Sequence, residues 1–266
     1  MKIKLSYLKN AQQNGNDYYN KAKKLLNKRN GAEKAVYDLE KQLKGIEAQN
    51  EQKKRIIIKK SDKQWYEKFH WFYTSNNMLC IGGRSAQQND LINAKYFLEN
   101  DIFFHADIFG ASLVLLKDGI SVKKNIWEEA AHFAAIYSSA WKEDLSTVDV
   151  YALKRSQISK STATGSVGTG GFVMKGEREW FKNTPLSLVM FNDNNTLNTI
   201  PKITFDRLIE TKKINTYVEL SLGTRKKSDA AKIISKHLNF DDLDTIVQQL
   251  PAGLFRVQLS KSGKKE

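Results

Sequence analysis

The chain has 266 residues and a hydrophobic content of 41%, which is enough for a folded core and excludes an intrinsically disordered protein. Its 43 lysines and arginines against 29 acidic residues give a net charge of +14, which favours a polyanionic partner such as nucleic acid. No apolar run approaches the roughly 18 residues that cross a bilayer, and the N-terminus lacks an apolar signal core, so we expect neither a membrane partner nor secretion. The single cysteine, Cys80, cannot form an internal disulfide, which indicates a reducing, cytosolic compartment.

Residues 1–60 predict a basic coiled coil. Apolar side chains recur at spacings of three and four on both sides of Asn30-Gly31, and this pair is a good helix stop, so the pattern predicts an antiparallel helical hairpin. The segment holds 16 basic and 6 acidic residues and so carries +10 of the net charge. This imbalance favours an arm that faces a polyanion over an ordinary solvated surface. An arm that binds a partner helix, in a protein-interaction scaffold, is an alternative.

Residues 61–185 alternate strand and helix patterns and predict a mixed-sheet α/β domain. The apolar runs 69–74 and 78–81 flank a polar turn and predict a β-hairpin. Ser85 and Gln88 form a capping box that begins a helix. Further strands are expected at 101–105, 112–116, 148–153 and 171–174, with a helix at 126–141.

Residues 186–266 predict a small C-terminal α/β extension, with strands at 186–191, 217–222 and 255–259 and helices at 228–238 and 241–250. The fold class is therefore α+β. The chain is expected to divide into a basic coiled-coil hairpin at 1–60, a mixed-sheet α/β domain at 61–185 and the extension at 186–266.

Polar groups suited to recognition cluster near glycine-bearing strand ends, where a rigid sheet presents exposed loops. They are Arg84, Gln87, Gln88, Asn89, His105 and Asp107. Arg84 could instead pair with Asp107 in a structural role. His105 and Asp107 lie two apart on a predicted strand and share a face, so they could be an acid/base pair of an RNA-acting enzyme or a hydrogen-bonded pair that supports the sheet edge.

The segment 154–171 combines Lys154, Arg155 and Lys160 with serines, threonines and four glycines, a set that suits phosphate oxygens. No G-x-x-x-x-G-K-[ST] motif is present, so the segment is not a nucleotide-hydrolysing loop, and a flexible loop without a ligand is the alternative. Aromatic residues between 65 and 73 could stack on bases or form core. Four histidines without ligand spacing predict no metal site, and no cofactor or catalytic triad is expected.

Several stretches, in order and at fitting spacing, resemble the NFACT family, specifically its RNA-binding NFACT-R domain with part of the preceding coiled coil. They are KFHWF at 68–72, IGGRSAQQND at 81–90, DIFFHAD at 101–107, QISK at 157–160 and GTGGF at 168–172 followed by Lys175-Gly176. Residues 217–223 and 250–259 are similar, more weakly, to the C-terminal extension of archaeal-type members.

The resemblance implies a component of ribosome-associated quality control. Members bind large ribosomal subunits obstructed by peptidyl-tRNA, recruit tRNA and support untemplated C-terminal tailing. Full-length members begin with NFACT-N and helix-hairpin-helix regions, and neither precedes residue 1, so we expect RNA or ribosome binding rather than autonomous tailing. The expected partners are rRNA of the large subunit, tRNA and a separate chain that carries NFACT-N. The expected RNA-binding residues are the six recognition groups together with Lys154, Arg155, Lys160 and Lys175.

Overall fold

A computed structural model describes residues 3–58, 64–162 and 165–260. The chain divides into two compact units, Met1–Lys63 and Gln64–Glu266. The predicted boundary between residues 60 and 61 lies outside the described residues, and the three-part division stays a prediction. Among the described residues, no helix is both long and apolar enough to cross a bilayer.

The first unit contains one long helix, α1 (Ala11–Ile58). Asn10 caps it, because the Asn10 Oδ1 accepts from the Gln13 backbone N–H at 2.8 Å while the Gln13 Oε1 accepts from the Asn10 N–H at 3.0 Å. The buried Asn14 amide donates to the carbonyls of Ser6, Lys9 and Asn10. These bonds hold the residues before the helix against its first turn.

Helix α1 passes through Asn30-Gly31 without a break, so the predicted antiparallel hairpin is wrong. A glycine inside a helix costs only about 1 kcal/mol relative to alanine, which the helix-forming residues around it outweigh. The apolar side chains that predicted the coiled coil are not buried within this unit, since Leu26 remains 48% exposed and Leu39 61% exposed.

Replacing Gly31 with alanine is expected to stabilise α1 locally by about 1 kcal/mol, because alanine removes the backbone-entropy penalty of glycine. A Cβ at Gly31 meets no atom within 4 Å, and the same holds for Gly15, so Gly15→Ala is a matched comparison. Circular dichroism at 222 nm during thermal melting of the full chain measures the change. A loss of helicity in Gly31→Ala but not in Gly15→Ala would show that residue 31 occupies a turn.

The second unit contains a six-stranded sheet. Its strands are β1 (His70–Tyr73), β2 (Leu79–Gly82), β3 (Ile102–Ala106), β4 (Val114–Leu116), β5 (Thr147–Lys154) and β10 (Glu179–Pro185). They lie in the order β1-β2-β4-β3-β5-β10, and all of their pairings are antiparallel, so the α+β class is confirmed while the mixed sheet is wrong. The predicted hairpin is confirmed as β1 and β2.

Both faces of this sheet are covered. One face packs on α3 (Lys124–Ile136), whose four alanines at 130, 131, 134 and 135 are fully buried or nearly so and allow close approach to the strands. The other face, which includes Phe103 and Tyr151, packs against α2 (Ala86–Leu91) and the π-helical turn Ile92–Tyr96. Strand β10, most of whose residues are exposed, is one of the two edge strands of this sheet.

The segment predicted as an irregular loop is closed by short antiparallel ribbons. Strand β6 (Ile158–Ser159) pairs with β9 (Val173–Met174), and β7 (Ser161–Thr162) pairs with β8 (Gly165–Ser166). The ends of the segment are thereby brought together at the edge of the large sheet.

A second antiparallel sheet, in the order β12-β11-β13-β14, shares one apolar core with α3. Its strands are β11 (Leu188–Asp193), β12 (Thr196–Pro201), β13 (Val218–Arg225) and β14 (Phe255–Leu259), and its helices are α4 (Lys202–Lys212), α5 (Lys227–Leu238) and α6 (Leu243–Gln249). Strands β10 and β12 and helix α4 were not predicted. Strand β10 contains only two adjacent aromatic residues, Trp180 and Phe181, among polar ones, so its sequence has no apolar run of strand length.

Candidate nucleic-acid interface

Gln157 joins the two ends of the 154–175 segment. Its Oε1 accepts from the Lys154 backbone N–H at 2.9 Å, and its Nε2 donates to the carbonyls of Lys175 and Glu177 at 3.2 and 2.8 Å. The Lys175 N–H in turn donates to the Gln157 carbonyl at 2.8 Å. Lys154 and Lys175 are both exposed. Residues 21 positions apart therefore present their ammonium groups from neighbouring backbone positions.

The edge strand and the residue before it add two cations and an aromatic ring. Trp180 and Lys182 lie two positions apart on β10, Arg178 precedes its first residue, and Phe181 packs against the core. Lys182 also forms an ion pair with Asp149 at 2.7 Å. The Arg178 guanidinium lies 4.4 Å from the ring centroid of Tyr151, and the Lys182 Nζ lies 4.0 Å from that of Trp180. Trp180 is 37% exposed.

Strand register places these residues beside the end of the 154–175 segment. Ala152 on β5 pairs with Glu179 on β10, so Lys154, two residues further along β5, lies at the same end of this strand pair as Arg178, on the face that packs on α3. We call Lys154, Lys175, Arg178, Trp180 and Lys182 the basic edge. Sequence reasoning found its first two members and missed the other three, because residues 178–182 have no alternation of polar and apolar side chains that would predict a strand.

His105 and Asp107 do not form the predicted pair. The His105 Nδ1 lies 3.3 Å from the Tyr151 hydroxyl, while Asp107 follows the end of β3, exposed, and its backbone N–H donates to the Asp149 carbonyl at 2.8 Å. Burial lowers the pKa of His105 and raises that of Tyr151 to about 12, so both side chains are neutral at pH 7. Among the described residues, no hydrogen bond joins His105 to Asp107 along which a proton could pass. This arrangement does not favour the alternative of an RNA-acting enzyme that uses the two as an acid/base pair.

The three amide side chains that follow Arg84 differ in burial and in hydrogen bonding. The Asn89 amide oxygen accepts from the Leu113 backbone N–H at 3.2 Å, and this buried contact favours a structural role over the predicted RNA contact. Gln88 accepts from the Arg84 backbone N–H at 2.9 Å and donates to the Lys68 carbonyl at 3.2 Å. Gln87 is exposed.

The Arg84 guanidinium donates to the Phe69 carbonyl at 3.0 Å and forms no ion pair within the described residues, so the predicted pairing with Asp107 is wrong. Burial lowers its pKa, and the nearby Tyr137 acts in the opposite direction. Arg84 is thus a partly exposed cation without a carboxylate beside it.

Arg155 and Lys160 are largely committed to internal contacts. The Arg155 guanidinium lies 4.9 Å from the ring centroid of Phe97 and donates to the Asn93 side chain at 3.4 Å. The Lys160 Nζ forms an ion pair with Asp90 and donates to the Gly168 carbonyl at 3.3 Å. These two cations hold the segment onto the sheet, which leaves Lys154 and Lys175 as the stronger candidates for phosphate contact.

A second exposed aromatic cluster lies near the start of the unit. Trp65, 42% exposed, stacks on Tyr96 with ring centroids 4.5 Å apart and an interplanar angle of 11°. The Lys68 Nζ donates to the Tyr96 hydroxyl at 3.0 Å, and this hydrogen bond lowers the pKa of Tyr96. Aromatic faces beside cations are the groups that stack on bases of single-stranded nucleic acid.

Comparison with known proteins identifies the family to which this chain belongs. Residues 68–176 match the family described as the NFACT protein RNA binding domain. The chain belongs to the NFACT family, which confirms the resemblance drawn from the sequence motifs. The match spans most of the large sheet and the ribbons that follow β5, and it ends at Gly176, two residues before Arg178.

Two curated relatives extend the comparison. The archaeal Rqc2 homolog aRqcH of Methanocaldococcus jannaschii is 35% identical over 210 residues, which cover 76% of this chain and 30% of the relative. The ribosome quality control complex subunit NEMF homolog of Drosophila melanogaster is 38% identical over 135 residues, which cover 50% of this chain and 14% of the relative. The chain thus spans less than a third of the length of either relative.

Among solved structures, the C-terminal part of the fibronectin/fibrinogen-binding protein from Streptococcus suis aligns with 48% of this chain and 48% of that chain. It is 23% identical with a TM-score of 0.39, a likeness too low to support a functional comparison.

Proposed function

We propose that the chain binds RNA through the basic edge. One observation carries this proposal: Lys154 on one segment and Lys175 and Arg178 on another are exposed at the same end of the β5–β10 strand pair, near the exposed Trp180, and none of the three forms an ion pair among the described residues. Cations with this freedom suit phosphate oxygens, and the tryptophan ring offers a stacking surface to a base. The family match to an RNA binding domain supports the assignment.

The RNA that we propose belongs to the large ribosomal subunit and to tRNA held there. This step rests on the relatives, which are named as ribosome quality control complex subunits or their homologues. The net charge of +14 supports it, because association with a polyanion of ribosomal size is steered by charge. A separate chain that carries an NFACT-N domain is part of the proposal as a partner. In this assignment the residues bind and position RNA and carry out no chemistry.

Co-sedimentation of the full chain with large ribosomal subunits, with and without bound peptidyl-tRNA, tests the proposal. Across a potassium chloride series from 50 to 300 mM we expect binding to both, with a preference for the obstructed subunits that survives at about 150 mM salt, where electrostatic attraction to any RNA is already much weaker.

Naked rRNA of the same mass serves as the control. Equal retention on subunits and on naked rRNA at every salt concentration would contradict ribosome recognition and leave general polyanion binding. Absence of binding to any of the three, even at 50 mM salt, would contradict RNA binding itself.

A further inference from the structure

The stacked rings of Trp65 and Tyr96 belong to a continuous group of five aromatic side chains. Tyr66 lies edge-on to Trp65 and to Trp71, with ring centroids 5.6 and 5.0 Å apart, and Tyr73 lies 6.0 Å from Tyr66. None of the five residues is fully buried, and Trp65 is the most exposed of them. Contiguous apolar surface that remains in contact with water commonly marks a binding site.

The stacked pair is fixed in place by local contacts. The Gln64 backbone N–H donates to the Glu67 Oε1 at 3.1 Å, and the Glu67 N–H donates to the Gln64 carbonyl at 3.1 Å, so Trp65 lies inside a closed turn. Tyr96 packs edge-on against the fully buried Phe69, with ring centroids 5.6 Å apart. Because the rings are already ordered, a ligand that stacks on them loses little free energy to ordering the protein.

Two exposed lysines border the pair. The Nζ atoms of Lys68 and Lys95 lie 5.1 and 5.5 Å from the ring centroid of Tyr96. Neither lysine forms an ion pair among the described residues. The carboxylate of Asp101 pairs instead with Lys117, whose Nζ also donates to the Tyr96 carbonyl at 2.7 Å. Positive charge beside the rings is therefore left for an anion outside the chain.

Arg84 brings a third cation to the same segment. Its guanidinium donates to the Phe69 carbonyl at 3.0 Å, and the Gln88 Nε2 donates to the carbonyl of the preceding residue, Lys68, at 3.2 Å. These two hydrogen bonds join the start of α2 to the residues that carry the aromatic pair. Aromatic faces and unpaired cations thus come together from three parts of the chain, the turn at 64–69, the start of α2 and the π-helical turn.

We propose that the Trp65–Tyr96 pair, with Lys68, Lys95 and Arg84, binds an unpaired nucleotide of the RNA. The base stacks on the open part of the Trp65 ring, and the cations contact the phosphates on either side of it. Bases inside an A-form duplex stack on one another, so the site selects single-stranded loops, bulges or ends. An apolar peptide would cover the rings but leave the three cations without anions. The inference rests on the proposed function, because it names the class of RNA segment that is bound.

Trp65→Ala tests the stacking half of the site. In fluorescence anisotropy of the full chain with a fluorescein-labelled oligouridine, it is expected to weaken binding by about 5- to 150-fold, the range for one lost base–aromatic stack. The slope of log K against log[salt] should stay the same, because stacking releases no counterions. Trp65→Phe keeps a ring and should retain most of the affinity. Phe109→Ala is the matched control, since Phe109 is 97% exposed and makes no ring contact among the described residues.

Lys95→Gln tests the phosphate half with the same probe. It is expected to reduce the salt slope by roughly 0.7, the value for one lost phosphate contact on a single strand. Lys142→Gln removes the same charge from another exposed lysine and should change the slope by much less. A blunt-ended RNA duplex is the second probe, and its affinity should be equal in Trp65→Ala and in the unsubstituted chain.

The outcomes separate this inference from the proposed function. If the unsubstituted chain binds none of tRNA, oligouridine and duplex, both fail together. If it binds tRNA but not oligouridine, or if Trp65→Ala and Phe109→Ala bind oligouridine equally well, the nucleotide site is overturned while RNA binding stands. If Trp65→Ala loses affinity for duplex and oligouridine alike, selection of an unpaired base is overturned. If Trp65→Ala binds oligouridine normally but sediments poorly with large ribosomal subunits, the aromatic pair contacts a ribosomal protein and its assignment to RNA is overturned.

Discussion

Replacing Glu129 with alanine is expected to lower the free energy of unfolding by about 3 kcal/mol or more, since breaking a buried ion pair leaves its partners uncompensated. Glu129 lies on α3 and is fully buried. Its carboxylate accepts from the Ser75 N–H at 2.8 Å, the Thr204 hydroxyl at 2.9 Å and the Arg207 guanidinium at 2.7 Å. It thereby joins the β1–β2 turn to helix α4, and its loss leaves buried donors from two elements without an acceptor.

Glu128→Ala is the matched control, because Glu128 is the adjacent residue, carries the same charge and also contacts Arg207, at 2.9 Å, but its side chain is 48% exposed. An exposed ion pair contributes about 0–1 kcal/mol, so this variant should unfold close to the unsubstituted chain. Urea-induced unfolding followed by tryptophan fluorescence measures both. Equal losses in the two variants would show that burial of Glu129 does not set its contribution.

The triple substitution Lys154→Gln, Lys175→Gln and Arg178→Gln is expected to reduce the salt slope of RNA binding by about 2–3, at about 0.7–0.9 for each lost phosphate contact. The affinity at physiological salt should fall by roughly the same power of ten, because these contacts act through counterion release. The three side chains are exposed, so the fold is expected to remain intact. Anisotropy titrations with labelled tRNA between 50 and 300 mM salt measure the slope.

A second triple variant controls for net charge. Lys142, Lys213 and Lys232 are also exposed, and their replacement with glutamine removes the same three charges from other parts of the surface. Long-range attraction alone would make the two triple variants equal, and that result would remove the basic edge from the binding account. A larger loss of slope in the Lys154, Lys175 and Arg178 variant locates the phosphate contacts at this edge.

Local patterns were enough to predict much of the second unit. The β1–β2 hairpin, the capping box at Ser85 and the helix rich in alanine were each readable, because an apolar alternation or a cap depends on residues a few positions apart. The same reasoning failed at Asn30-Gly31, where one turn-forming pair was given more weight than the helix-forming residues on both sides of it. Edge strand β10 was not predicted, because an edge strand buries only one face over few residues and so leaves a weak apolar pattern.

The sequence by itself determined the family, the α+β class and the positive charge, since motifs, periodicity and composition are properties of neighbouring residues or of the whole chain. Only the tertiary structure decided which cations lie near one another. Strand register brings Lys154 to the same end of the β5–β10 pair as Arg178, and Gln157 links the backbone of Lys154 to that of Lys175. Such proximity follows from how sheets pair and pack on helices, and no local pattern records it. The tertiary structure also shows that the Asn89 amide oxygen accepts from a buried backbone N–H, which favours a structural role for this predicted RNA-binding residue.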